Sequence, residues 1–221
     1  MLIIFDLDDT LIQTSRFITP CRFERVIEAL DLSEAIKRAI LEDLNKGHLQ
    51  FATSKQAITH VLKSHGVPVH LIEHANFEMD AYDPQVPVVL FEGVVELANI
   101  LKARNCHLVI VTAGSISQQT YKIQKSGITD HVSSWYIVES GSKQNTYQEV
   151  AKNFLPNEVL VIGDRVASDL LPAKALGFKT CLVRQGRGQF QEINSNIIDF
   201  VIQDVTEVEN LIKSLQKTFS T

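Results

Sequence analysis

Leu2-Ile3-Ile4-Phe5-Asp6-Leu7-Asp8-Asp9-Thr10 opens with four apolar residues and turns abruptly acidic. An apolar run this short, with β-branched residues, reads as a buried strand of the kind found in parallel sheets. Working outward, similar runs recur at His107 to Val111, Trp135 to Val138 and Val159 to Ile162, with further strands at Thr180 to Val183 and Phe200 to Ile202. Amphipathic helical segments separate them: Val94 to Ala103, Gln118 to Lys125, Tyr147 to Phe154, Asp169 to Leu176 and Glu207 to Lys217. Gly177 stands where a helix would stop. Alternating strand and helix predicts an α/β fold, with a parallel sheet covered by helices on both faces.

One region breaks the alternation. From about residue 14 to residue 86 the pattern is helical throughout, at Phe23 to Leu30, Ser33 to Leu44, Lys55 to Ser64 and Leu71 to Glu78. Ser33 fits an N-cap, and Gly47 and Gly66 fit helix stops. Pro84 and Pro87 mark the return. The chain therefore divides into a core of residues 1–13 and 87–221 and a helical insert of residues 14–86.

The acidic stretch lies where ligands bind in open α/β sheets, at the carboxyl end of a strand. Asp6 and Asp8 are two apart, so they point the same way where the strand continues into the loop. Two such carboxylates repel each other unless a cation or a shared proton relieves them. A polar loop with capping aspartates is the plain alternative. Against it, Thr112, Lys143 and the pair Asp164 and Asp169 follow three further strands, at the same sheet edge. Each taken singly is weak, because threonines and aspartates cap helices and most lysines are solvated. Their joint placement calls for a chemical reason.

These residues resemble the haloacid dehalogenase-like superfamily of hydrolases. The match covers the DxDxT stretch Asp6, Asp8 and Thr10, the hydroxyl of Thr112, the lysine Lys143, and Asp164 and Asp169 within GDRVASD. Gly163 to Gly186 is especially characteristic, and the helical insert resembles that superfamily's cap in its first insertion position. The resemblance implies a Rossmann-like core with a helical cap, and a magnesium-dependent phosphomonoester hydrolase. Asp6 would be the nucleophile and form an aspartyl phosphate; Asp8 would be general acid and then base. Thr112 and Lys143 would bind the phosphoryl group. Mg2+ would be held by the Asp6 carboxylate, the Asp8 backbone carbonyl and Asp164, with Asp169 acting directly or through water. Two positions depart from the pattern. Asp9 stands where glycine is common, and Gln144 stands where a proline follows the lysine in many relatives; Lys152 is the alternative lysine.

Composition bounds the partners. A net charge of −5 argues against a general nucleic-acid binder. The three cysteines form no CxxC pair and fit reduced thiols in a cytoplasmic protein. No apolar stretch is long enough to span a bilayer, so no membrane partner is expected. The expected partner is a small phosphorylated metabolite; oligomeric state stays open. His70 and His74 are four apart and share a helical face, but no third ligand accompanies them. Arg16 and Arg22 fit surface roles better than substrate contacts, and Phe17, Phe23, Phe51 and Phe77 are assigned to the insert's core. Three rivals share the resemblance: a phosphomutase or phosphotransferase, a 2-haloacid dehalogenase, and an idle fold that only binds a partner. Asp8 disfavours dehalogenation, which needs no acid two residues after the nucleophile.

Overall fold

The computed structural model describes residues 1–218, with side chains through residue 215. The chain forms two compact units: Met1–Gln13 together with Val89 onward, and Thr14–Val88. The first is built on a six-stranded sheet of order β3-β2-β1-β4-β5-β6. Its strands are β1 (Leu2–Phe5), β2 (His107–Ala113), β3 (Ser134–Val138), β4 (Val159–Gly163), β5 (Lys179–Val183) and β6 (Phe200–Ile202), all parallel. Helices α5 (Val94–Ala103), α6 (Ile116–Ser126), α7 (Gln144–Val150), α8 (Leu171–Ala175) and α9 (Val208–Thr218) connect or follow them. The first four helices belong to the other unit.

The apolar runs follow from burial on both faces. Leu2, Ile4, Val109, Val111, Val159 and Val161 pack with Tyr147, Ala173 and Phe178 on one side. Ile3, Phe5, Leu108, Ile110, Leu160 and Ile162, one residue out of phase, point to the other side and are equally buried. The strand order reverses between β1 and β4. Their carboxyl ends therefore form the switch point at which open sheets bind ligands. Backbone pairing runs one residue past β1: the Asp6 N–H donates to the Ile162 carbonyl at 2.9 Å. That bond fixes Asp6 beside the start of the loop after β4.

Several expected details differ. Thr112 lies inside β2, which is longer than expected, and its side chain is 1% exposed. The segment expected as one helix from Asp169 is split: a π-helical turn spans Val166–Leu170 and α8 starts only at Leu171. Pro172 sits in the first turn of α8, where its missing N–H costs nothing. The wider turn carries Asp169, fully buried, back toward β4. Gly177 ends α8 with a φ of 75°.

The second unit consists of α1 (Thr19–Glu28), α2 (Glu34–Gly47), α3 (Ser54–Ser64) and α4 (Val69–Glu78). Their apolar faces meet in one cluster that includes Phe23, Ile27, Ile40, Leu44, Ile58, Leu62, Ile72 and Met79. Ser33 occupies the N-cap position of α2 without a side-chain bond, whereas Thr53 caps α3 by accepting the Gln56 N–H at 3.1 Å. Gly47 is the last residue of α2, and a short 3-10 turn, His48–Gln50, follows it. Gly66, with φ 69°, marks an end. Phe77 is a correction, since it is 73% exposed and lies outside the core. Phe17 is half-buried beneath the Arg16 guanidinium, 5.2 Å from its ring centre. His70 and His74 are exposed, and buried His48 bonds the Leu44 carbonyl at 3.0 Å. No helix among the described residues is long and apolar enough to cross a membrane.

Candidate active site

Asp6, Asp164 and Asp169 come together at the switch point, with one carboxylate oxygen from each within 4.8 Å of the others. They form the only group of this kind found among the described residues. All are at most 1% exposed. Burying three carboxylates this close is costly unless cations compensate. Lys143 supplies one. Its Nζ donates to Asp6 Oδ1 at 2.5 Å and to Asp169 Oδ1 at 2.7 Å, and its side chain is 1% exposed. Lys152, the alternative, is exposed and pairs with Glu149.

The three carboxyls respond differently to this arrangement. Burial pushes Asp6 up to about 6; Lys143 opposes the shift and Asp169 adds to it. Burial raises Asp164 well above the usual carboxylate range, with Asp169 adding repulsion. Burial also acts on Asp169, but Lys143 and Arg165 outweigh it and hold that carboxyl below its ordinary value. Asp169 accepts three bonds in all: Lys143 at 2.7 Å and the Ser168 hydroxyl at 3.0 Å on Oδ1, and the Arg165 N–H at 3.0 Å on Oδ2. By contrast, Asp6 Oδ2 and Asp164 Oδ1 are buried without a hydrogen-bond partner. Unsatisfied buried oxygens of this kind mark a place for a cation or a polar ligand.

Asp8 faces elsewhere. Its Oδ1 accepts Lys122 Nζ at 2.7 Å, and its Oδ2 accepts Gln119 Nε2 at 2.8 Å. The same Gln119 amide donates to Thr112 Oγ1 at 2.6 Å and reaches the Ala113 carbonyl at 3.1 Å. Asp9 takes the left-handed conformation, φ 55°, which short acidic side chains tolerate and glycine adopts freely. Its carboxylate lies 3.9 Å from Arg187 and packs against Gly186, where a Cβ would fall 2.3 Å from Asp9 Cγ. Arg165 Nε lies 3.8 Å from Asp164.

Of the residues singled out from the sequence, Lys143 bonds Asp6 and Asp169, Asp164 lies within 4.8 Å of both carboxylates, and Thr112 joins Asp8 through Gln119. Gln119 and Lys122 were not anticipated. Position was their one signal, since they are three apart on the helix that leaves the Thr112 strand and starts at the same edge; nothing in their polar character set them apart from a solvated face.

A sequence model of the haloacid dehalogenase-like hydrolases matches residues 1–177. The chain belongs to this family. As a haloacid dehalogenase-like hydrolase it is similar over its length to a protein named glyceraldehyde 3-phosphate phosphatase from Methanocaldococcus jannaschii, 25% identical, with 97% of this chain and 98% of the relative covered. Two solved structures share its fold. One is a predicted phosphoglycolate phosphatase from Haemophilus somnus (TM-score 0.72, 16% identity, 96% and 97% of the two chains covered). The other is a haloacid dehalogenase-like hydrolase from Xanthomonas campestris (TM-score 0.64, 22% identity, 99% and 96% covered).

Proposed function

We propose that this hydrolase is a magnesium-dependent phosphatase that cleaves a small phosphomonoester through an aspartyl phosphate on Asp6. The observation that carries the proposal is the buried triad Asp6, Asp164 and Asp169, two of whose oxygens lack a hydrogen-bond partner. The donor set suits a hard divalent cation: all oxygen, mostly anionic, already converging. Asp6, Asp164, the Asp8 carbonyl and Asp169, directly or through water, would hold it. Bound there, magnesium supplies positive charge that lets the anionic nucleophile meet an anionic phosphate and stabilises the transferring oxygens. The local charge supports the same reading. With every carboxyl ionised, as a bound cation would favour, Asp6, Asp8, Asp9, Asp164 and Asp169 face Lys122, Lys143, Arg165 and Arg187, one negative charge in excess. A divalent cation makes the site positive, as a phosphate dianion requires.

Lys143 fixes the Asp6 carboxylate through Oδ1 and offsets charge on the phosphoryl group. An Asp6 oxygen attacks phosphorus, the bond to the leaving oxygen breaks, and Asp8 gives that oxygen its proton. Water then attacks the same phosphorus, Asp8 takes its proton, and the bond to Asp6 breaks. Thr112 Oγ1 accepts from Gln119, which leaves its own hydrogen to donate to a phosphoryl oxygen. The helical unit is the candidate cap. The chain departs after Gln13 and returns at Val89, where the Gln13 N–H meets the Val89 carbonyl at 2.8 Å, just beyond the Asp6–Thr10 loop. Three-carbon aldehyde phosphates are the first substrates to try, given the named relatives.

The test is phosphate release from a panel of phosphorylated metabolites, glyceraldehyde 3-phosphate included, with magnesium and with EDTA. Release should require the metal and vanish in Asp6→Asn. Release that persists in EDTA, or in that variant, would overturn the mechanism.

A further inference from the structure

We infer that Gln119 and Lys122 are positioning residues for Asp8: together they clamp the carboxylate that transfers the proton and tie it to the phosphate-binding hydroxyl of Thr112. The inference rests on the reading of Asp8 as acid and base.

Both residues lie on one face of α6, three apart, and both are nearly buried, Gln119 at 2% and Lys122 at 4% exposure. Burying a lysine stem and its charge is costly unless a well-placed anion receives it. The anion here is Asp8, at 2.7 Å, and not a member of the metal-binding triad. Lys122 takes one Asp8 oxygen and Gln119 takes the other. A carboxylate held at both oxygens cannot rotate about its last bond without losing one contact. Proton transfer depends on such fixed orientation, because a misplacement of about an ångström costs on the order of 100-fold in rate.

Gln119 adds a second constraint. Its amide nitrogen meets Asp8 Oδ2, Thr112 Oγ1 and the Ala113 carbonyl, all acceptors within 3.1 Å. The opposite amide orientation would set oxygen against the carboxylate, so the geometry itself selects the nitrogen. Asp8 lies in the loop after β1, and Thr112 lies in β2. One side chain thus locks the spacing between the proton donor and the phosphoryl donor. Lys143 does the corresponding work for Asp6, so each aspartate of the pair has its own buried lysine.

The experiment compares kcat/KM on an alkyl phosphate and on p-nitrophenyl phosphate, for wild type, Asp8→Asn, Lys122→Met, Lys122→Arg, Gln119→Leu and the double variant Asp8→Asn with Lys122→Met. A poor leaving group needs its proton and p-nitrophenolate does not. Lys122→Met should lose at least ~10-fold more on the alkyl ester, mainly in kcat, with Lys122→Arg restoring part of it. Gln119→Leu should shift the ratio in the same direction. In the Asp8→Asn background Lys122→Met should add no further shift in the ratio, because the two act as a unit. Equal losses of Lys122→Met on both esters, or a rise in KM alone, would overturn the clamp while Asp8→Asn still discriminated. Equal losses in Asp8→Asn would overturn the reading of Asp8, and the clamp with it. If circular dichroism shows Lys122→Met unfolded, Gln119→Leu decides by the same ratio.

Discussion

Lys143 Nζ sits 2.5 Å from Asp6 Oδ1, and the two side chains are each only 1% exposed. The two residues are 137 apart in the sequence, and the pair is sealed from water. The same ammonium serves Asp169 at 2.7 Å. Removing it leaves two buried carboxylates without their cation. Breaking a buried pair from one side costs roughly 3–5 kcal/mol. Lys143→Met should therefore destabilise the protein by that order in urea unfolding, as well as abolish turnover. Added magnesium should recover part of the lost stability, and more than it adds to wild type, because the variant has more uncompensated charge. Unchanged stability in the variant would mean that the carboxyls are neutral and the lysine is dispensable.

Gly163 closes β4 directly against Asp169. A Cβ at this position would fall 2.6 Å from Asp169 Oδ2 and 2.7 Å from its Cβ. Asp169 cannot yield easily, being tied to Lys143, Ser168 and the Arg165 N–H. Gly163→Ala should cost about 1–3 kcal/mol through overpacking. It should also lower kcat by about 100-fold through displacement of the triad. Gly177→Ala is the control. That glycine has φ +75° but meets only a Pro156 atom at 3.7 Å. It should lose roughly 1 kcal/mol to backbone strain, with activity kept. Similar activity in both alanine variants would show that Asp169 tolerates the shift.

The parallel sheet was readable because its inner strands are buried on both faces, so Ile3 and Ile4 are both apolar although they point in opposite directions. The edge that gathers Asp6, Asp164 and Asp169 was readable from the same strands, since strand ends locate side chains. Helix positions were less informative. Gln119 and Lys122 are polar and helical, which is what a solvated face looks like in sequence; only the packing shows them buried. Phe77 fails in the opposite sense, an aromatic at helical spacing that stays exposed. The π-helical turn at Val166–Leu170 has no marker in composition, because it arises from where Asp169 must reach.

Asp199 gives a pH-dependent test outside the site. Its carboxylate accepts Lys174 Nζ at 2.5 Å, the Thr180 N–H at 2.9 Å and the Thr180 hydroxyl at 3.1 Å, joining the approach to β6 with α8 and β5. Burial acts to raise its pKa, but the Lys174 and Thr180 bonds outweigh it and hold it below the usual value. The folded protein therefore binds fewer protons here than the unfolded chain near the ordinary aspartate value of about 3.9. The contribution is complete above that value and is lost as pH falls through the lower folded value. Asp199→Ala should cost about 1–2 kcal/mol at neutral pH. The gap to wild type should hold constant down to about pH 5 and narrow below about pH 4. A gap independent of pH across that range would remove the ionised carboxylate from the explanation.

The site of water attack separates phosphatase chemistry from the dehalogenase chemistry for which the family is named. In both, Asp6 would carry a covalent intermediate. In a phosphatase, water attacks phosphorus, so heavy oxygen from labelled water enters released phosphate and Asp6 keeps its own oxygens. In a dehalogenase, water attacks the carbonyl carbon of an Asp6 ester, so repeated turnover labels the enzyme. Two features of this chain favour phosphorus. Thr112 and Lys143 stand beside Asp8 and Asp6 as donors suited to phosphoryl oxygens. Asp8, with 17% of its side chain exposed, is an acid that carbon–halogen cleavage does not need. Multiple turnovers in labelled water, followed by mass spectrometry of the phosphate and of the peptide containing Asp6, should find one heavy oxygen per released phosphate and an unlabelled peptide. Label that accumulates in the peptide, with none in the phosphate, would mean that Asp6 is acylated through its carbonyl carbon and that the phosphatase assignment is wrong.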